Sequence, residues 1–131
     1  MLTTLQRSGG IEALARQAGI EPAQALAETK QILPDLLAAY RDYPGGNAAL
    51  LAMFEKQGGS GLAAEVMAVE PADIAAGRAI LASTLGEAVA EKRQTGLWPL
   101  LAMLVSGYIA ATAAASGPGM QRIDDLLGRA A

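Results

Sequence analysis

No Asp, Glu, Lys or Arg occurs between Arg93 and Arg122, and this uncharged stretch constrains the fold more than any other feature of the chain. Its strongly apolar part reads Leu97-Trp98-Pro99-Leu100-Leu101-Ala102-Met103-Leu104-Val105 and continues through Tyr108 and Ile109. As a helix, Leu97–Ile109 spans about 20 Å, short of the roughly 30 Å hydrocarbon core of a bilayer. Beyond Ile109 come Ala, Thr, Ser, Gly and Pro, which gain little from lipid. A helix that is hydrophobic on all sides is stable when other helices surround it. The expectation is therefore a buried helix over 97–115 with shorter helices leaning on it. Peripheral membrane association through the same segment is the weaker reading.

The rest of the chain supplies those shorter helices. No run alternates apolar and polar residues with β-branched enrichment, so strands are not expected. With 131 residues, 52% of them apolar, the chain can build one core without a disulfide or metal. Gly and Pro punctuate it. Ser8-Gly9-Gly10 opens a helix carrying Ile11, Leu14, Ala15 and Ala18, and Gly19 is its left-handed stop. Glu21-Pro22 starts the next helix, with Leu26, Leu33, Leu37 and Tyr40 in one stripe. Pro34 inside that stripe predicts a kink or break near Leu33, with Asp35 at a helix N-terminus. Asn47 is the expected N-cap of a helix bearing Leu50, Leu51 and Phe54. Gly58-Gly59-Ser60-Gly61 reads as a flexible connector. A short helix follows through Leu62, Val66 and Met67, and Glu70-Pro71 starts another with Asp73 in its first turn. That helix carries Ile74, Leu81 and Leu85, with Gly77 placed for close helix approach, and Gly86 ends or bends it. Glu87–Gln94 is a charged helical segment. The fold class is all-α, a multi-helix globular bundle packed around a buried apolar helix near the C-terminus. Residues 1–115 form a single helical domain. Ser116-Gly117-Pro118-Gly119 is a hinge, and 116–131 form a hinged amphipathic tail helix.

Several of these motifs fall in a familiar order: Gly77, Ile80, Leu81 and Gly86, then Pro99 to Leu104, Gly107 and Tyr108. In this the chain resembles the YidB-like family of uncharacterised bacterial proteins, over Ile11 to Ala111. The family pattern has a further helical stretch where this chain has only Glu87–Gln94. The resemblance implies an all-helical cytoplasmic domain and brings no catalytic residues with it.

The chemistry that the chain lacks is as informative. It has no Cys and no His. Zinc sites lose their usual ligands, and Cys–His and Ser–His nucleophiles are impossible. A cysteine-free chain also fits a reducing compartment. Gly58–Gly61 has no Lys after it and no strand before it, so it is no phosphate loop. Glu87, Glu91, Lys92 and Arg93 read as a solvated helix face, as do Asp124 and Asp125. No cofactor or metal is expected, and no residue suggests an enzyme.

Three non-enzymatic readings remain. The leading one is a helical protein–protein interaction or self-association module. Trp98, Met103 and Tyr108 are of types enriched in interface cores. Met120, Ile123 and Leu127 share one face of the hinged tail, which can pack in cis or on a neighbour. An alternative is a helix-turn-helix DNA-binding regulator over residues 11–31, since Gly19 and Ile20 give a steep helix crossing. A net charge of −3 on the chain, and more acidic than basic residues within 11–31, disfavour nucleic acid. The third is the peripheral membrane protein considered above.

Overall fold

The structure, a computed structural model, describes residues 2–86 and 97–116. Its regular elements are all helices: α1 (Leu2–Arg7), α2 (Gly10–Ala18), α3 (Pro22–Arg41), α4 (Gly46–Gln57), α5 (Gly61–Met67), α6 (Ala75–Leu85) and α7 (Trp98–Ser116). The protein is all-α, with no strand among the described residues.

Local signals account for most boundaries. Gly9 and Gly19, at φ +81° and +71°, bracket α2, and the Gly19 N–H bonds the Ala15 carbonyl. Only residues without a Cβ adopt such angles cheaply. Pro22 stands in the first turn of α3 behind an extended Glu21. Gly86 closes α6.

Helix α7 runs through the packing of the others. Leu101–Val105 and Ile109 are fully buried, and Leu97, Leu100 and Ala110 nearly so. Its largest interfaces are with α5 and α6, and α2, α3 and α4 also touch it. Two glycines set the closest approaches. A Cβ on Gly107 would collide with Ala63 of α5, lying 2.6 Å from its methyl group. A Cβ on Gly77 of α6 would collide with Pro99, lying 2.8 Å from its carbonyl carbon. Both helices can therefore lie backbone to backbone on α7. Among the described residues no helix is long and apolar enough to cross a membrane.

The core contains a small polar chain. The buried Tyr40 hydroxyl lies 2.8 Å from Ser106 Oγ and donates to the Ala102 carbonyl at 3.3 Å. Its ring meets Phe54 edge-on, with centroids 5.1 Å apart. Burial pushes the Tyr40 phenol well above its ordinary pKa, and the Ser106 hydrogen bond opposes this only in part. Thr29 is also fully buried, and its hydroxyl has no hydrogen-bond partner among the described residues.

Several boundaries differ from those expected. Helix α1 precedes the Ser8-Gly9-Gly10 turn and buries Leu5 completely. Helix α3 continues through Pro34 without a break, so Asp35 is interior to it and not at an N-terminus. Pro34 and Lys30 are both exposed, so the Lys30 carbonyl deprived of its donor can bond water. On the opposite face Ile32, Leu33 and Leu36 are buried and hold the helix together. Helix α4 starts after Gly45, at φ +92°, and not at an Asn47 cap. The Gly58–Gly61 connector is a hydrogen-bonded corner: Gly59 N donates to Phe54 O at 2.8 Å and Gly61 N to Gly58 O at 3.2 Å. Helix α6 begins at Ala75, four residues after Pro71, with the Ala75 N–H donating to Asp73 Oδ1 at 3.0 Å. Glu87–Gln94, the hinge beyond Ser116 and the amphipathic tail lie outside the described residues.

Candidate interaction surface

Three helix ends meet without closing over one another. Gln6 of α1, Ile11 and Glu12 of α2, and Pro22, Ala23 and Leu26 of α3 line an open groove of about 320 Å³. Its floor is apolar, since Ile11 is buried and Leu26 half-buried. Gln6, Glu12, Pro22 and Ala23 are exposed around it. Gly19, in the left-handed conformation, ends α2 and leads through Glu21 into α3, whose first turn supplies Pro22, Ala23 and Leu26 to the groove. The groove is concave and lined mainly by aliphatic carbon, the usual character of a site that takes apolar side chains.

A second cavity, about 310 Å³, is lined by Gln57, Gly58, Gly61, Leu62, Glu65, Asp73 and Ala76. Its lining is more polar. Among the described residues no cluster of three or more acidic, His or Cys side chains could hold a metal ion.

The loop after α5 is fastened from α2. Gln17 Nε2 donates to the carbonyls of Val66, Ala68 and Glu70 at 3.2, 3.2 and 2.9 Å, and Gln17 Oε1 accepts from Ala72 N at 3.0 Å. An amide nitrogen has two protons, so one is shared between two of these carbonyls. Arg16 Nη2 donates to Met67 O and Ala68 O at 3.0 and 3.1 Å. These bonds satisfy carbonyls at the end of α5 that have no partner within the helix. The same loop presents Val69, 84% exposed, to solvent.

The residues singled out by sequence separate in the structure. Met103 is fully buried and belongs to the packing of α7, out of reach of any partner. Trp98, the first residue of α7, is half-buried against the core. Tyr108 is half-buried, with its hydroxyl 2.6 Å from Ser8 Oγ and donating to Met67 Sδ at 3.9 Å. Trp98 and Tyr108 thus share no continuous exposed patch with Met103. Met120, Ile123 and Leu127 lie outside the described residues.

In the 11–31 segment, α2 and α3 do form a helix pair around Gly19. Arg16 is engaged with backbone carbonyls, and Gln24 at the start of α3 donates to Glu28 at 3.1 Å. Lys30 and Gln31, later in α3, are exposed, but with Glu12, Glu21 and Glu28 in the same segment its charge is net negative, which disfavours phosphate contacts.

The sequence reading places Ile11 and Leu26 on apolar helix faces without bringing them together as a groove. It gives Arg16 and Gln17 no contact and reads Ser8 only as part of the turn that opens a helix. Comparison of the chain with protein-family models, curated proteins and solved structures found no match.

Proposed function

We propose that this chain is a non-enzymatic helical module for protein–protein interaction or self-association, and that the α1–α2–α3 groove is its docking surface. The observation that carries this is an open recess between three helix ends whose lining includes the buried Ile11 and the half-buried Leu26. An apolar recess gains free energy when another protein's aliphatic side chains displace water from it. The absence of Cys and His supports a non-enzymatic role. We also read the chain as YidB-like and cytoplasmic. Gly77 and Gly107, both within the family-like pattern, stand where α6 and α5 touch α7 most closely. Nucleic-acid and membrane-surface roles rank below this reading, the first because residues 11–31 are net negative and the second because the apolar residues of α7 face other helices.

Ala23→Glu tests the proposal. Ala23 is exposed in the first turn of α3, where a carboxylate suits the helix end, so the fold should be kept. Sedimentation velocity over a wide concentration range and photo-crosslinking from position 12 in cells should both report association, and Ala23→Glu should weaken it tenfold or more. A chain that stays monomeric and yields no crosslinked species from position 12 would overturn the proposal.

A further inference from the structure

We infer that Val69 and the recess lined by Glu65 and Asp73 form a second docking surface, for a basic segment of another protein. Such a segment places a Lys or Arg side chain in the recess and a nearby apolar side chain on Val69. The surface shares no lining residue with the groove. Among the described residues Val69 is the one large apolar side chain left exposed. Its backbone is nevertheless fixed. The carbonyls on either side of it, Ala68 O and Glu70 O, both accept from Gln17 Nε2. Arg16 Nη2 also donates to Ala68 O, and Ala72 N donates back to Gln17 Oε1. The loop is thus ordered before anything docks, so binding on Val69 forfeits little conformational freedom.

The recess lies at both ends of the segment that carries Val69. Glu65 comes four residues before it and Asp73 four after, and both line the cavity of about 310 Å³. Four residues of chain reach at most about 14 Å, so one short peptide can cover the recess and Val69 together. Leu62 and Ala76 give the recess an apolar wall, while Glu65, Asp73 and Gln57 bring polar groups to it. That combination suits a Lys or Arg side chain, with its aliphatic stem on the wall and its head on the carboxylates. Asp73 is already oriented: its Oδ1 accepts from Ala75 N at 3.0 Å, which leaves Oδ2 to a ligand. Among the described residues no Lys or Arg lines the recess. Residues 55–73 carry Glu55, Glu65, Glu70 and Asp73 against Lys56 alone. The surface is acidic around an exposed apolar knob, and its electrostatic complement is a basic segment with an apolar neighbour.

Random decapeptides displayed on phage, selected on the immobilised full-length protein at low salt, test this. Enriched peptides should carry a Lys or Arg within about four residues of an apolar one. Once synthesised, they should bind less tightly as salt rises and should shift the amide resonances of 65–76. Val69→Ser should weaken them about tenfold, and Glu65→Gln with Asp73→Asn about fivefold. All three side chains are exposed, and Asn keeps the oxygen that Ala75 N uses, so the fold is retained. Ala23→Glu should leave these peptides unaffected, so this surface and the groove stand or fall separately. Peptides with no basic excess, or peptides that bind the Val69→Ser protein equally well, would overturn the inference. So would an absence of enrichment, which would leave Val69 to a second copy of this chain or to solvent. Shifts confined to Ile11, Ala23 and Leu26 would also overturn it, since the basic segment would then belong to the groove.

Discussion

Replacing Gly107 by Ala should destabilise the protein, although the same change in most helices does the opposite. Ala is favoured over Gly in a helix interior by about 1 kcal/mol. At Gly107 the added methyl carbon would lie 2.6 Å from the Ala63 Cβ and 2.9 Å from its Cα. Carbon atoms in contact prefer about 3.5–4.0 Å, so α5 and α7 must part by roughly 1 Å. The neighbour is largely backbone, which cannot swing aside as a long side chain would. Overpacking of this kind costs about 1–3 kcal/mol or more, and separating the two helices loosens the contacts along one of the largest interfaces in the fold. The expected net loss is about 2 kcal/mol, or roughly 6–10 °C in melting temperature. Gly61→Ala provides the contrast: a Cβ there meets nothing within 4 Å, and that variant should match the parent or exceed it slightly. Urea unfolding followed by circular dichroism measures both. Ala63→Gly combined with Gly107→Ala should recover part of the loss, as a double-mutant cycle would report. A Gly107→Ala protein as stable as the parent would refute the reasoning about the α5–α7 crossing.

Other substitutions probe the polar groups. Thr29→Val removes a buried hydroxyl that has no partner among the described residues and keeps the side chain's shape, so stability should rise by about 1 kcal/mol in the same assay. Tyr40→Phe should cost about 1–2 kcal/mol at neutral pH, because Ser106 is left buried without its partner. The Tyr40 phenol is raised in the fold, so above about pH 10 the unfolded chain releases a proton that the folded one keeps. Stability should then fall by about 1.4 kcal/mol per pH unit from this group alone, and Tyr40→Phe should lose that increment of the alkaline slope. Gln17→Ala should speed amide exchange at Ala72 and lower stability by about 1 kcal/mol, since part-buried carbonyls lose a donor and the Ala72 N–H its acceptor.

Much of the architecture was legible in the sequence, and the exceptions have causes. The apolar stretch from Leu97 to Ile109 reads as a helix shielded from water because its composition leaves few other choices. The turns at Gly19 and Gly86 were legible because both take positive φ. Helix α1 was not, because Leu2–Arg7 is mostly polar and Leu5 alone carries its burial. The late start of α6 has a tertiary cause: Gln17 holds Glu70 and Ala72 in a loop, and no local signal near Pro71 reveals a glutamine some fifty residues earlier. Pro34 misleads for a related reason, since its effect depends on which side of α3 meets water. The groove is harder still. Ile11 and Leu26 look like ordinary core residues, and only the tertiary arrangement of α1, α2 and α3 leaves Leu26 half-buried at the groove while Ile11 is buried. A single interface list drawn from residue type was bound to mix core and surface, as Met103 shows.

The fastening of the loop after α5 bears on how the molecule opens. With seven residues, α5 is too short to persist as an isolated helix. Its terminal carbonyls are completed by two adjacent side chains of α2, and its flank by the bare backbone at Gly107. Neither support is local in sequence, so α5 can exist only while both are in place. It follows that α2, α5 and the middle of α7 behave as one cooperative unit, protected together and lost together, even though the chain visits them at three widely separated moments of its synthesis.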